Sequence, residues 1–196
     1  MKTKLLTLLC TLGLMLGLTG CGGQDLPMEA TFDGYTVVLG QTTMQDLIDE
    51  GYEPHLQSRQ DVARDGDKYI SFYYSLDKGA GYQFWVTVCV PWGGGADISS
   101  ETTQSLTEGI VKSVSFSKGS TEKMTATYNG VDIQELSFEY AADEWGAKQE
   151  DDTSKVTWKA PLKRGSLKLE AEDTFEEVFY ELTVSLSQKE FENMQK

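Results

Sequence analysis

Alternating apolar and polar side chains mark the most regular segments of the chain. Residues 82–90 place an apolar side chain on every second position, at Tyr82, Phe84, Val86, Val88 and Val90. Residues 177–186 do the same with Val178, Tyr180, Leu182, Val184 and Leu186. A period of two predicts strands that bury one face. Further strands are predicted at 69–76, 155–160 and 166–171, and the glycine-containing DKGAG joins the first of these to 82–90 as a hairpin.

Two shorter segments have the period of a helix. In GQTTMQDLIDEGYEP one helical face carries Met44, Leu47 and Ile48. Thr42 and Gln45 have capping-box spacing, and Gly51 suits the left-handed residue that ends a helix. In LSFEYAADEWG, Ser137 suits the N-cap and Gly146 the end. Its apolar positions are Phe138, Ala141, Ala142 and Trp145.

The two halves of the chain resemble one another. ATFDGYTVV in the first half is similar to ATYNGVDI in the second, and Asp33-Gly34 and Asn129-Gly130 both suit tight type I′ hairpins. A helix and then strands follow each hairpin. The closing strands also match, with SVSFS at 113–117 and TVSLS at 183–187. Matching starts, helices and closing strands indicate a duplicated unit.

We therefore predict an α+β fold built from a tandem repeat, residues 30–118 and 119–196. Each unit is expected to pack one helix on an antiparallel sheet of three to four strands. The first unit is the longer one, and much of its excess lies in PWGGGADISSETTQSLTEG, residues 91–109. A connection of this length inside a compact unit is typically functional or disordered.

The N-terminal segment predicts export. Lys2 and Lys4 precede an uncharged run of 14 residues, 5–18, which is shorter than the about 20 residues that a membrane-spanning helix needs. This is the pattern of a secretory signal peptide. The run ends in Leu18-Thr19-Gly20-Cys21, which resembles the lipobox of bacterial lipoproteins.

The lipobox resemblance implies a lipid anchor. It implies that a diacylglycerol is attached to the thiol of Cys21 and that cleavage removes residues 1–20. Two or more acyl chains hold a protein stably at a membrane, whereas one does not. Residues 21–29 are then expected to be a flexible tether, and the protein to be exported and anchored at the outer face of the bacterial cell membrane.

Charge narrows the range of partners. The full chain has 31 acidic and 17 basic residues. Lys2 and Lys4 leave with the signal, so the mature part has 31 acidic against 15 basic residues and a formal charge of −16. Such a surface repels phosphate backbones, so we expect no nucleic-acid binding. Anionic headgroups should also repel it, which leaves the acyl anchor to hold it at the membrane.

The cysteines allow no intramolecular disulfide in the mature chain. Cys10 leaves with the signal, Cys21 carries the lipid, and Cys89 remains alone. Cys89 lies in an apolar strand, where a buried and unreactive thiol is expected. Stability must therefore come from an apolar core.

The repeat also resembles a known fold. The segment GQTTMQDLIDEGYEP, with strands after it, is similar to the beta-lactamase inhibitory protein fold and to small outer-membrane assembly lipoproteins. The resemblance covers the layout of residues 30–188 and implies a non-enzymatic, protein-binding role through an exposed sheet face. The inhibitory protein has a disulfide in each repeat, which this chain cannot form. No partner-contacting residue can be carried over, so inhibition of a beta-lactamase is not implied.

The sequence shows no recognisable catalytic or cofactor site. His55 is the single histidine, and a zinc site needs three or four ligands. The acidic residues of DVARDGDK, 61–68, lack the spacing of a calcium loop and are expected to lie in a turn. The glycines 93–95 lack the Lys and Ser/Thr of a phosphate loop. We therefore predict no catalysis, no metal and no cofactor.

Several aromatic side chains have no evident place in a core. Tyr69, Tyr73 and Trp85 fall opposite the apolar positions of their strands, and Trp92 begins the glycine-rich loop. Aromatic residues on an open sheet suit a contact surface, although cross-strand pairing or packing between the repeats also accounts for them. The leading hypothesis is recognition of an envelope or extracellular protein. The alternative is a glycan- or small-ligand-binding lipoprotein, which a pocket lined by Trp85 and Trp92 would favour.

Overall fold

The protein is described by a computed structural model that covers the chain in seven stretches: residues 23–59, 68–79, 83–92, 107–121, 123–150, 156–171 and 179–196. Strands make up 51% and helices 16% of this structure. In chain order the elements are β1 (Glu29–Phe32), β2 (Tyr35–Val38), α1 (Met44–Asp49), β3 (Glu53–Arg59), β4 (Tyr69–Asp77), β5 (Gln83–Pro91), β6 (Ile110–Ser117), β7 (Ala126–Tyr128), β8 (Val131–Asp132), α2 (Phe138–Trp145), β9 (Lys148–Gln149), β10 (Thr157–Pro161), β11 (Gly165–Ala171), β12 (Phe179–Leu186) and α3 (Gln188–Met194).

The strands form two antiparallel sheets. The smaller has four strands in the order β2-β1-β7-β8, and the larger has eight in the order β3-β4-β5-β6-β12-β11-β10-β9. Both sheets join strands from the two halves of the chain, because β1 pairs with β7 and β6 pairs with β12. In the large sheet, β3 to β6 run in chain order from one edge to the middle, and β9 to β12 run in chain order from the other edge to the middle. The predicted boundary at 118/119 therefore falls just after β6, and neither half forms a sheet of its own.

The two sheets enclose one apolar core. Phe32 of the small sheet stacks on Phe84 of the large sheet with ring centroids 4.0 Å apart, and it meets Phe116 edge-on at 5.1 Å. Tyr52 packs edge-on against the same Phe84 at 5.0 Å. Offset and edge-on ring pairs of this kind stabilise a core beyond the area they bury. This cluster holds the small sheet against the middle of the large one.

Local chemistry explains the tight turns and the helix ends. Asp33 and Gly34 both have positive φ, as do Asn129 and Gly130, which is the backbone of a type I′ turn. Ser137 caps α2 by accepting from the backbone N–H of Tyr140, and the left-handed Gly146 ends it. These hairpin and helix predictions are confirmed.

The capping of α1 differs from the predicted one. Thr43 caps this helix, in a reciprocal capping box with Asp46. The predicted cap, Thr42, is buried, and its hydroxyl accepts from the backbone N–H of Val38. The sequence TTMQD offers two threonines in a row, and the tertiary position of the first one removes it from the cap.

The predicted α+β class, a tandem repeat of one helix on a three- to four-stranded sheet, is wrong. The fold is mostly β, with a four-stranded and an eight-stranded antiparallel sheet and only three short helices among the described residues. The physical reason lies in the hairpins β1–β2 and β7–β8. Each is too small to be stable alone, and pairing β1 with β7 makes them a sheet that covers the core. The layer assigned to helices is therefore a second sheet.

Three elements were not predicted: β3, the two-residue strand β9 and α3. β3 follows α1 directly, and its Pro54 is tolerated because β3 is the edge strand. α3 closes the chain, and Ser187 caps it by accepting from the backbone N–H of Glu190. Most of the predicted loop 91–109, and the whole of 60–67, lie outside the described residues.

Candidate functional site

The large sheet has a second face, turned away from the small sheet. Over residues 69–74 of β4 and 83–88 of β5, buried side chains alternate with partly exposed ones, so the partly exposed set points away from the core. We call this side the outer face. One row crosses it through cross-strand partners on all eight strands: His55, Ser75, Trp85, Ser115, Thr183, Lys168, Lys159 and Lys148.

Short side chains occupy the middle of the outer face, between larger ones on either side, and we call this strip the trough. Its floor consists of short hydroxyl side chains of β6 and β12: Ser113, Ser115, Thr183 and Ser185. Trp85 of β5 stands on one side and Lys168 of β11 on the other. Strands lie about 4.8 Å apart, so these two walls are separated by about 14 Å. The trough therefore has the width of an extended peptide segment.

The floor of the trough is tied together by hydrogen bonds. Thr183 Oγ1 donates to Ser115 Oγ at 3.0 Å, and the Ser115 hydroxyl donates to the carboxylate of Glu181. Ser115 is only 5% exposed. A buried hydroxyl with both a donor and an acceptor partner is held in one orientation. The polar groups of the trough are thus preorganised.

Tyr73 of β4 adds a second aromatic ring beside Trp85. Its cross-strand partner is Thr87, and Trp85 lies diagonally two residues away on β5. Burial raises the pKa of Tyr73 to about 12, and the negative charge of Glu181 acts in the same direction. The phenol is therefore a neutral hydrogen-bond donor at physiological pH.

The structure separates the four predicted contact aromatics. Tyr73 and Trp85 share the outer face, as their alternation predicts. Tyr69 instead packs edge-on against Phe191 of α3, with ring centroids 5.1 Å apart. Trp92 follows the end of β5 and packs, partly buried, against the core.

Trp92 is also distant from Trp85. Trp92 follows the last residue of β5, and seven residues of extended chain separate the α-carbons of the two tryptophans by about 20 Å. A pocket lined by both tryptophans is therefore not formed. The acidic turn at 61–67, the glycines 93–95 and Cys21 lie outside the described residues.

A group of metal-ligand type lies at the edge of the large sheet. Ligand atoms of Glu53, His55 and Asp77 all fall within 4.8 Å of one another. His55 Nε2 lies 2.8 Å from Asp77 Oδ2, within hydrogen-bonding distance. Glu53 and His55 are exposed on the edge strand. The pairing of β3 with β4 brings Glu53 and His55 close to Asp77, which lies more than 20 residues later in the chain. No motif in the sequence indicates this group.

The surroundings of Cys89 keep it protonated. The side chain is buried, its sulfur lies 3.5 Å from the hydroxyl of Ser71, and burial raises the pKa of the thiol. Since the thiolate is the reactive form, this position is unsuited to a nucleophile.

The described part of the outer face shows no hydrogen bond between a serine and His55, the single histidine of the chain. The direct cross-strand partner of His55 is Ser75, whose buried hydroxyl accepts instead from Gln57 Nε2 at 2.9 Å. Ser115 lies in the same row but three strands away, at about 14 Å.

Comparison with known proteins identifies no relative of this chain. No family model, curated protein or solved structure matches the chain. The resemblance to the beta-lactamase inhibitory protein fold therefore stays a prediction. Among the residues that the structure describes, no helix is long and apolar enough to cross a membrane.

Proposed function

We propose that this protein is a lipid-anchored binding protein of the bacterial cell envelope, which recognises a partner protein through its outer face and performs no catalysis. One observation carries the proposal: Trp85 and Tyr73 stand together beside an ordered floor of hydroxyls that ends in Glu181. Rigid aromatic anchors next to adaptable hydroxyl groups are the typical composition of a protein-binding surface.

The charge of the molecule favours a basic partner. The mature chain carries a formal charge of −16, taken from 31 acidic and 15 basic residues. The carboxylate of Glu181 accepts from Ser115, the cross-strand partner of Trp85, so a lysine or arginine of the partner can pair with this carboxylate while its stem lies along the Trp85 indole. A field of this sign also speeds the approach of a basic protein. We therefore propose a partner that presents a basic side chain on an exposed segment, seated in the trough.

Anchoring places this surface where such partners occur. The lipobox at Leu18–Cys21 supports export and attachment of diacylglycerol to Cys21. An acyl anchor confines the protein to the membrane surface and raises its local concentration near other envelope proteins.

A site-specific crosslink tests the proposal. A photoreactive residue at Thr87, inside the wall of the trough, should capture one dominant protein when the anchored protein is irradiated in intact cells. Trp85→Ala should abolish the capture, and Glu181→Gln should reduce it and also reduce its sensitivity to salt. Tyr140→Ala is the matched control, because Tyr140 is an exposed aromatic residue, 36% exposed, on α2.

The outcomes distinguish protein recognition from glycan recognition, the two hypotheses that the sequence suggests. If Trp85→Ala and Tyr140→Ala capture equal amounts of the partner protein, the outer face is not the binding surface. Absence of any captured protein, together with glycan-array binding that Trp85→Ala abolishes, would replace protein recognition by glycan recognition.

A further inference from the structure

The residues just after the predicted lipid site are fastened to the body of the protein. The backbone N–H of Gln24 donates to the carbonyl of Pro161 at 2.8 Å, and the N–H of Lys163 donates to the carbonyl of Gln24 at 2.9 Å. The carboxylate of Asp25 pairs with the ammonium of Lys163 at 2.9 Å. Gln24 thereby forms a parallel bridge with Leu162 in the turn between β10 and β11. We call this contact, between residues 23–25 and 161–164, the clasp.

The clasp requires glycine at its first position. A Cβ on Gly23 would lie 2.5 Å from the carbonyl oxygen of Pro161 and 2.5 Å from the backbone carbon of Leu162. These are backbone atoms of a strand end, which cannot move aside as a flexible side chain can. A larger residue at this position must therefore displace the N-terminal segment from the turn.

The charge around the clasp is opposite to that of the rest of the molecule. The described residues 148–150 and 156–168 contain five basic and one acidic residue, whereas the rest of the mature chain contains ten basic and 30 acidic residues. Lys163 and Arg164 are exposed in the turn itself. The positive charges of both residues lower the pKa of Asp25, with the Lys163 hydrogen bond as the largest cause.

From these observations we infer that the turn between β10 and β11 faces the membrane and rests on anionic phospholipid headgroups. The inference rests on the lipid-anchoring part of the proposed function. Cys21 precedes Gly23 by two residues, and two residues of fully extended chain span at most about 7 Å. The acylated thiol would therefore enter the bilayer beside Lys163 and Arg164, whose charges fit anionic headgroups.

This arrangement sets the orientation of the whole protein. β10 ends and β11 begins at the clasp, and the strands of the large sheet run from this end towards the opposite end, which is marked by Asp77 of β4 and Ser117 of β6. The strands next to the clasp, β11 and β12, then rise from the membrane surface. The trough opens sideways, towards proteins embedded in or attached to the same bilayer.

Lysine labelling on vesicles tests the orientation. The lipidated protein, with its lipid verified by intact mass, is placed on phosphatidylglycerol-containing vesicles and treated with a membrane-impermeant acylating reagent. The reference is the unlipidated mature chain carrying Cys21→Ser, mixed with the same vesicles. Labelling of Lys163 should fall severalfold in the anchored protein. Lys78 and Lys123, which are exposed beyond the far ends of β4 and β6, should be labelled equally in both.

Variants show whether the clasp and its charge cause the protection. Gly23→Val should remove the protection of Lys163 while the protein stays on the vesicles. Gly119→Ala is the matched control, because a Cβ there meets its nearest atoms at 3.6 Å, an ordinary contact. Protection should also weaken on neutral phosphatidylcholine vesicles and in the variant Arg164→Gln, which keeps Lys163 as the labelled residue.

Failure of the inference can be told from failure of the anchor. If the wild-type protein carries no lipid and does not float with the vesicles, the anchoring proposal is wrong. If it floats but Lys163 and Lys78 are labelled alike, the anchor stands and the proposed orientation is overturned. Protection of equal size on neutral vesicles would overturn the role of the headgroup charge.

Discussion

Thr183 of β12 donates a hydrogen bond to Ser115 of β6, with the two oxygens 3.0 Å apart, at the line where the two halves of the large sheet meet. The hydroxyl of Ser115 in turn donates a hydrogen bond to the carboxylate of Glu181. The same short chain of polar groups thus joins the halves of the fold and forms the floor of the candidate binding trough. Changes here should affect both stability and partner binding.

The hydroxyl chain should contribute measurably to stability. Thr183→Val removes one donor and should lower the free energy of unfolding by about 1 kcal/mol. Ser115→Ala should cost more, because it leaves both Thr183 and the Glu181 carboxylate without their partner. Urea unfolding measures both effects, with the exposed Ser166→Ala as control. Equal stability of Ser115→Ala and Ser166→Ala would contradict the described network.

The packing of the two sheets depends on Phe32. This ring is fully buried and stacks on Phe84. Phe32→Ala should lower the free energy of unfolding by about 3–5 kcal/mol, since it removes a large ring and leaves a cavity between the sheets. Leu56→Ala is the control, because Leu56 is 52% exposed and its loss should change stability by about 0.5 kcal/mol or less. Calorimetry or urea unfolding measures both effects. Equal stability of Phe32→Ala and Leu56→Ala would contradict the described packing of the two sheets.

The half-buried phenol of Tyr73 should make stability fall in alkali. The unfolded chain releases this proton near pH 10, whereas burial and the charge of Glu181 raise the pKa of Tyr73 in the folded protein to about 12. Stability contributed by the neutral phenol is therefore complete below about pH 10 and is lost as the pH rises to about 12. Tyr73→Phe should reduce this loss.

Spectroscopic titration isolates the same group. The difference in tyrosinate absorbance between the wild type and Tyr73→Phe reports the titration of Tyr73 alone. Glu181→Gln removes the neighbouring negative charge and should shift that titration to lower pH. A titration of Tyr73 that does not respond to Glu181→Gln would show that the two side chains do not interact across the outer face.

The lipobox prediction has a direct test in cells. Cys21→Ser should abolish acylation, so the protein should accumulate as precursor or leave the membrane fraction. Cys10→Ser is the matched control, because Cys10 lies inside the predicted signal and should not affect processing. Normal processing and membrane attachment of Cys21→Ser would contradict the lipid anchor.

Local structure could be predicted from the sequence where a few neighbouring residues decide it. Asp33-Gly34 and Asn129-Gly130 form the expected tight turns because their backbones tolerate positive φ. Gly146 ends α2 for the same reason. The alternation in β5 also placed Trp85 on the face opposite Phe84 without any knowledge of the fold.

The partners of the strands were decided only by the tertiary structure. The pairs β1–β7 and β6–β12 connect segments about 70 to 95 residues apart, and an alternating pattern states which face is buried but not which strand lies beside it. This is why the small sheet was mistaken for a helical layer. It is also why the contact of Ser115, Thr183 and Glu181 was missed, although SVSFS and TVSLS both alternate hydroxyl and apolar residues.

The sequence by itself thus determined the tight turns, the caps of α2 and the face on which Trp85 lies. Each of these depends on residues within one segment. Only the tertiary structure placed Trp92 against the core, Tyr69 against Phe191, and Gly23 against the turn after β10. Those positions depend on contacts between distant segments, whose free energies are set by the packing of the whole core.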